Sequence, residues 1–191
     1  MENLRQFSGE SENEIWQQIA ADMHQQNEIL EYSAQINQQD HQVYFDIDID
    51  LGGGFEGGFE TTTFMAPVNN SELKFHLYPQ NWLNEVGKIL GLEDVELGYP
   101  EFDKTFIIKA SNPEKLKRIF ADETIRQTLL KYPDCELKLS HEHDKPNARN
   151  LLTFNLDLAL ISPEHLREVY HVMLQILEKL GQPTLPNSGE L

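Results

Sequence analysis

Three aspartates spaced two residues apart, Asp46, Asp48 and Asp50, have the types and spacing in this chain that most directly suggest chemistry. They lie in the stretch 43–51, where Val43, Phe45, Ile47, Ile49 and Leu51 alternate with Tyr44 and the three acids. Alternation of period two describes a strand with one buried face, and its carboxylates repeat at about 7 Å along the other face. Like charges at that spacing raise one another's pKa or recruit a cation. The following LGGGFEGGFE adds Glu56 on a glycine-rich loop whose backbone can bend around a ligand. Hard oxygen ligands of this kind suit Ca²⁺ or Mg²⁺, so Asp46, Asp48, Asp50 and Glu56 form a candidate metal set for a cation-binding protein or a metal-dependent hydrolase. The EF-hand pattern is not met: counting from Asp46, the sixth position is Leu51 and the twelfth is Gly57. The competing reading is a solvated strand face that discourages edge pairing, and how commonly sheets use that device favours it.

Other candidates are thinner. Phe55 and Phe59, set between glycines, are candidate anchors for a partner or for the chain's own core. His141-Glu142-His143-Asp144 could offer imidazoles and carboxylates to Zn²⁺, but it lacks HExxH spacing and falls in an expected loop. His165 and His171 are six apart on the last expected helix and do not share a face. There is no GxSxG elbow and no phosphate-binding GxxxxGK[ST] loop. Cys135 has no evident histidine partner and reads as a small core residue. Asp103 beside Lys104 reads as a turn entering a strand, with Phe102 packed inward. No catalytic set and no cofactor requirement emerge.

Charge narrows the partner class. The chain of 191 residues carries a net charge of -17, and residues 1–60 hold 13 acids against one base, Arg5. Such a field repels phosphate backbones and anionic lipid, which disfavours nucleic-acid and membrane partners and favours a basic protein surface. Mean hydropathy is -0.50, no apolar run approaches the ~20 residues of a membrane span, and the start MENLRQFSGESENE has no basic-then-apolar pattern. One cysteine permits no internal disulfide, so a cytoplasmic protein is expected.

The elements that would position these residues point to an α+β fold. Strand candidates pair up before helices: 59–66 and 72–78, then 94–98 and 104–111, then 135–141 and 151–161. The helices follow at 82–90, at Asn112-Pro113-Glu114 and at Ser162-Pro163-Glu164. Asn or Ser at the cap and proline in the first turn are helix-start signals. Leu166, Val169, Tyr170, Met173, Ile176, Leu177 and Leu180 give the last helix a broad apolar stripe. The expectation is a mostly antiparallel sheet of about seven strands, built from ββα-like units with helices on one face. Residues 1–10 are expected to be flexible, 11–38 an N-terminal helix and linker able to mediate self-association, 39–181 a single domain, and 182–191 a disordered tail.

One resemblance spans about residues 59–132. Tyr78, Val86-Gly87-Lys88-Ile89-Leu90-Gly91, Glu101-Phe102-Asp103-Lys104, Phe106 to Lys109 and Ile125-Arg126 together resemble an uncharacterised family of soluble bacterial proteins. The resemblance implies no activity, cofactor or catalytic residue. The functional expectation is therefore a non-enzymatic protein-interaction module using the acidic face and the Gly/Phe loop, with the divalent-cation reading as the alternative.

Overall fold

The computed structural model describes residues 4–53, 57–69, 71–82, 92–141 and 150–181. In chain order these form β1 (Arg5–Gly9), α1 (Glu12–Met23), β2 (Glu31–Gln38), β3 (His41–Asp50), β4 (Phe59–Val68) and β5 (Phe75–Pro79). They continue with β6 (Glu93–Asp94), α2 (Pro100–Thr105), β7 (Phe106–Ala110), α3 (Pro113–Phe120), α4 (Glu123–Leu130), β8 (Glu136–His141), β9 (Asn150–Leu156) and α5 (Pro163–Gly181). The strands make one nine-stranded sheet in the order β1-β2-β3-β4-β9-β8-β5-β7-β6. Only β1 and β2 run parallel, joined by α1 as the crossover, and every other pairing is antiparallel.

Strand β3 shows why the alternating sequence folds as it does. Val43, Phe45 and Ile47 are buried while Tyr44, Asp46 and Asp48 are half-buried on the opposite face. Phe45 sits in a run of aromatic contacts: Trp16 of α1 at 6.1 Å, Tyr32 of β2 at 5.7 Å and Phe64 of β4 at 5.3 Å between ring centroids. Trp16 also meets Tyr170 of α5 edge-on at 5.7 Å. At the other end of the sheet Phe102, Phe106, Phe75 and Phe120 form a second aromatic group that seats α2 and α3. Both groups lie on one face, so the helices described cover that face, as expected for an antiparallel sheet whose strands alternate apolar and polar residues.

Several expectations change. The sheet has nine strands rather than about seven. Residues 5–9, expected to be flexible, are edge strand β1, held by Phe7 in the core and by pairing with β2. The N-terminal helix ends at Met23, and 31–38, assigned to helix and linker, is β2 with Tyr32, Ala34 and Ile36 buried. A two-residue period that includes one alanine buries little apolar surface, which hides such a strand in the sequence. β4 and β5, expected to open one ββα unit, are separated in the sheet by β9 and β8. The helix expected over 82–90 lies outside the described residues beyond the short 3₁₀ turn Gln80–Trp82. The tail 182–191 also lies outside them. β6 spans two residues where 94–98 was expected, and β9 ends at Leu156 rather than at 161.

The residues that carry the family resemblance act here as fold elements. Both carboxylate oxygens of Asp103 accept backbone N–H bonds, from Leu97 at 2.9 Å, Gly98 at 2.8 Å and Tyr99 at 3.0 Å. This folds the chain sharply ahead of α2, and Gly98 meets the turn's positive φ of 87° without steric cost. The segment around Asp103 is therefore a short helix, not only a turn. Arg126 stacks on the Tyr99 ring at 3.5 Å and donates to the Phe120 carbonyl, tying α4 to that turn. The cap signals also hold at α3, where the Asn112 side chain accepts from the Lys115 N–H at 2.9 Å. At α5 the Ser162 hydroxyl instead donates to Glu164 at 2.6 Å.

Candidate functional site

The β3–β4 hairpin ends where the sequence placed its acids and glycines. Asp50 pairs with Phe59 across the ladder, and the Asp50 carboxylate accepts from the Gly52 N–H at 2.8 Å. Gly52 has φ of 69°, and a Cβ on Gly58 would lie 2.2 Å from the Asp50 carbonyl oxygen. Glycine is thus required at both positions, one for its left-handed backbone and one for close approach. Beside the hairpin, residues 157–161 are stapled to β4. The buried Thr62 hydroxyl donates to the Leu158 carbonyl at 2.7 Å and accepts from the Leu160 N–H at 2.9 Å. The Ala159 N–H donates to Glu60 at 3.4 Å. These bonds explain why β9 stops at Leu156: the chain leaves the ladder to pair with a threonine side chain instead.

The result is a surface of mixed character. Among the described residues, large apolar side chains left exposed are Leu4, Leu51, Phe59, Leu158 and Ile161, and the last four belong to this end of the sheet. Leu51 is 72% exposed and Phe59 50%, values that mark them as unspent by the core. A cleft of about 670 Å³ opens between the hairpin and Asp157, lined by Ile49, Asp50, Leu51, Phe59 and Glu60. Its apolar floor is therefore rimmed by three carboxylates.

The expected metal set does not assemble from the described residues. Asp46 accepts from the Ser33 hydroxyl, and Asp50 is engaged by Gly52. Among the described residues no three His, Cys, Asp or Glu side chains converge in a way that could hold a metal ion. Glu56 and Phe55 lie outside the described residues. Of the histidine cluster, His141 ends β8 beside Asn150, its ring 3.2 Å from the Asn150 side-chain oxygen, and 142–144 lie outside. His171 sits 2.8 Å from Glu12, which also binds Arg167 at 2.7 Å, so it fastens α5 to α1. Cys135 is fully buried and its thiol is pushed up by that burial, which removes it from nucleophilic chemistry.

The fold gathers one constellation that sequence reasoning missed. On the sheet face opposite the helices, the Thr63 hydroxyl donates to Asn155 at 3.2 Å, Asn155 donates to Glu136 at 2.8 Å, and Glu136 meets His76 Nε2 at 2.6 Å. His76 is 12% exposed and Glu136 15%. The bond from His76 is the largest influence on the Glu136 carboxyl, and with Asn155 it outweighs burial, drawing it down to about 2. The signal available in the sequence was only that His76 and Glu136 occupy polar positions in two alternating strands. Their 60-residue separation concealed the pairing.

Comparison with known proteins adds no identity: no family model, no curated protein and no solved structure matches the chain. Among the described residues no helix is long and apolar enough to cross a membrane.

Proposed function

We propose that this protein is a non-enzymatic, cytoplasmic interaction module whose partner is another protein, one with basic side chains around an apolar anchor. The observation that carries this reading is the exposure of Leu51 and Phe59 in the cleft that Asp50, Glu60 and Asp157 also line, with Leu158 and Ile161 exposed on the adjoining segment. Apolar side chains left outside the core and grouped within a polar rim are the pattern of a protein contact surface. The acidic rim repels a second copy of the same surface and attracts Lys and Arg, which selects a basic partner and speeds its encounter. Nucleic acid and anionic membrane are disfavoured by the net charge of -17.

The test is affinity capture from cell extract with three baits: the wild type, Phe59→Ser, and the pair Asp50→Lys with Glu60→Lys. Each bait is first checked for an unchanged melt. A captured protein that is lost with both variants, and whose binding to the wild type weakens as salt rises, supports the reading. Capture that is equal for all three baits removes this end of the sheet as the contact surface.

A further inference from the structure

The open face of the sheet carries a line of bases that the acidic character of the chain does not lead one to expect. Register places Lys138 of β8 directly opposite His76 of β5, and His76 directly opposite Lys109 of β7. Three basic side chains thus stand on three neighbouring strands, each about 5 Å from the next at Cβ. Like charges set directly opposite one another weaken a sheet, so an arrangement of this kind calls for acceptors.

The acceptors present are already committed. Glu136 gives one oxygen to His76 and the other to Asn155. Asp94 gives one to Lys109 at 2.7 Å. The donors are not all used. Among the described residues Lys138 makes no hydrogen bond or close ion pair, acting on Glu136 only through its charge, and Lys109 bonds only Asp94. An ionised Glu136 can only accept, so the hydrogen it receives sits on His76 Nε2. The ring itself is fixed: Glu136 holds it, Asn155 holds Glu136, and Thr63 holds Asn155. An imidazole oriented through a chain of such bonds is arranged before any ligand arrives.

We propose that His76, Lys109 and Lys138 form a binding site for a small anion on this face, the ligand bearing a carboxylate or a phosphate monoester. Spare ammonium donors on β7 and β8, either side of the fixed His76 ring, match an acceptor-rich group, and charge-assisted bonds from ammonium groups are the strong ones. A small anion is compatible with the acidic chain where a polyanion is not, because the adjacent carboxylates, Glu136 and Asp94, are each bonded to a base of the site, and those of β3 lie several strands away and are screened over about 10 Å at ordinary salt. The site is separate from the hairpin end, and each can fail without the other.

Inorganic phosphate and acetate are the two probes, titrated at ionic strength held constant with chloride while the His76 ring signals are followed by NMR. A saturable shift with either probe supports the site, and the tighter probe tells a phosphate-bearing ligand from a carboxylate-bearing one. Lys138→Gln, which keeps a neutral polar side chain on the same strand, is expected to weaken that binding by about tenfold. His76→Gln is a second variant, read by thermal melt with and without the probe, and should lose the ligand-induced rise. No saturable shift with either probe overturns the proposal, as does binding of equal strength in the wild type and in Lys138→Gln.

Discussion

Asp46 and Glu136 stand on the same register line of the same sheet face, with two strands between them and opposite outcomes. The line runs Ser33, Asp46, Thr63, Asn155, Glu136 across β2, β3, β4, β9 and β8. Asp46 belongs to the group the sequence displays most openly, yet its neighbours Asp48 and Asp50 are spread along the strand at about 7 Å, and among the described residues no three such side chains converge. Glu136 has no acidic neighbour in its own strand and was not singled out, yet it anchors a four-residue hydrogen-bonded chain. Repetition along a strand spreads groups by about 7 Å, whereas register across strands brings them to about 5 Å. Sites on a sheet are made by pairing, which the local sequence does not display.

The sharpest way to break this comparison is to remove each carboxylate in turn. Glu136→Ala leaves His76 and Asn155 without their partner in a half-buried position and should cost about 3 kcal/mol, several degrees of melting temperature in a chain this size. A loss below about 1 kcal/mol in chemical denaturation would place Glu136 among ordinary surface acids. The acid limb of stability reads the same bond in the wild type. Because the folded carboxyl titrates near 2 rather than at its usual value, its contribution is complete above about pH 4.5 and is lost as pH falls towards 2, to a total of about 3 kcal/mol. In Glu136→Gln that part of the acid dependence should vanish. A wild-type-like slope in the variant would assign the acid dependence to other groups.

Asp103→Ala comes next, at about 2 kcal/mol, because three backbone N–H groups lose their acceptor but can be reached in part by water. Protease susceptibility at Leu97–Tyr99 should rise with it, and a melt unchanged from the wild type would contradict the staple. Smallest is Asp46→Asn with Asp48→Asn, expected to change stability by no more than about 0.5 kcal/mol and to leave the melt insensitive to Ca²⁺ or Mg²⁺. A wild-type melt that rises with either ion and loses that rise in the double variant would restore the cation reading of the β3 face.

Legibility in the sequence followed the range of the interaction. The alternation of β3, the Asn112 cap and the apolar stripe of α5 are local patterns, and each produced the expected element. β1 and β2 escaped because five residues with one buried phenylalanine, and eight with an alanine at the centre, carry too little apolar surface to stand out. At the hairpin end, Phe59 was legible from its glycine surroundings. Leu158 and Ile161 were not, since their apolar run reads as strand and the Thr62 bonds that draw the segment out of the ladder come from 96 and 98 residues away in sequence.

Period, capping and net charge are properties of neighbouring residues and of their sum, and they were enough for the class of the fold, the one-sided sheet and the acidic character of the chain. Long-range pairing placed β9 and β8 between β4 and β5, left Leu158 and Ile161 exposed beside the hairpin, and brought His76 to Glu136. Those facts depend on which strands pair and in what register, and pairing is settled by burying the whole aromatic core at once rather than by any one segment.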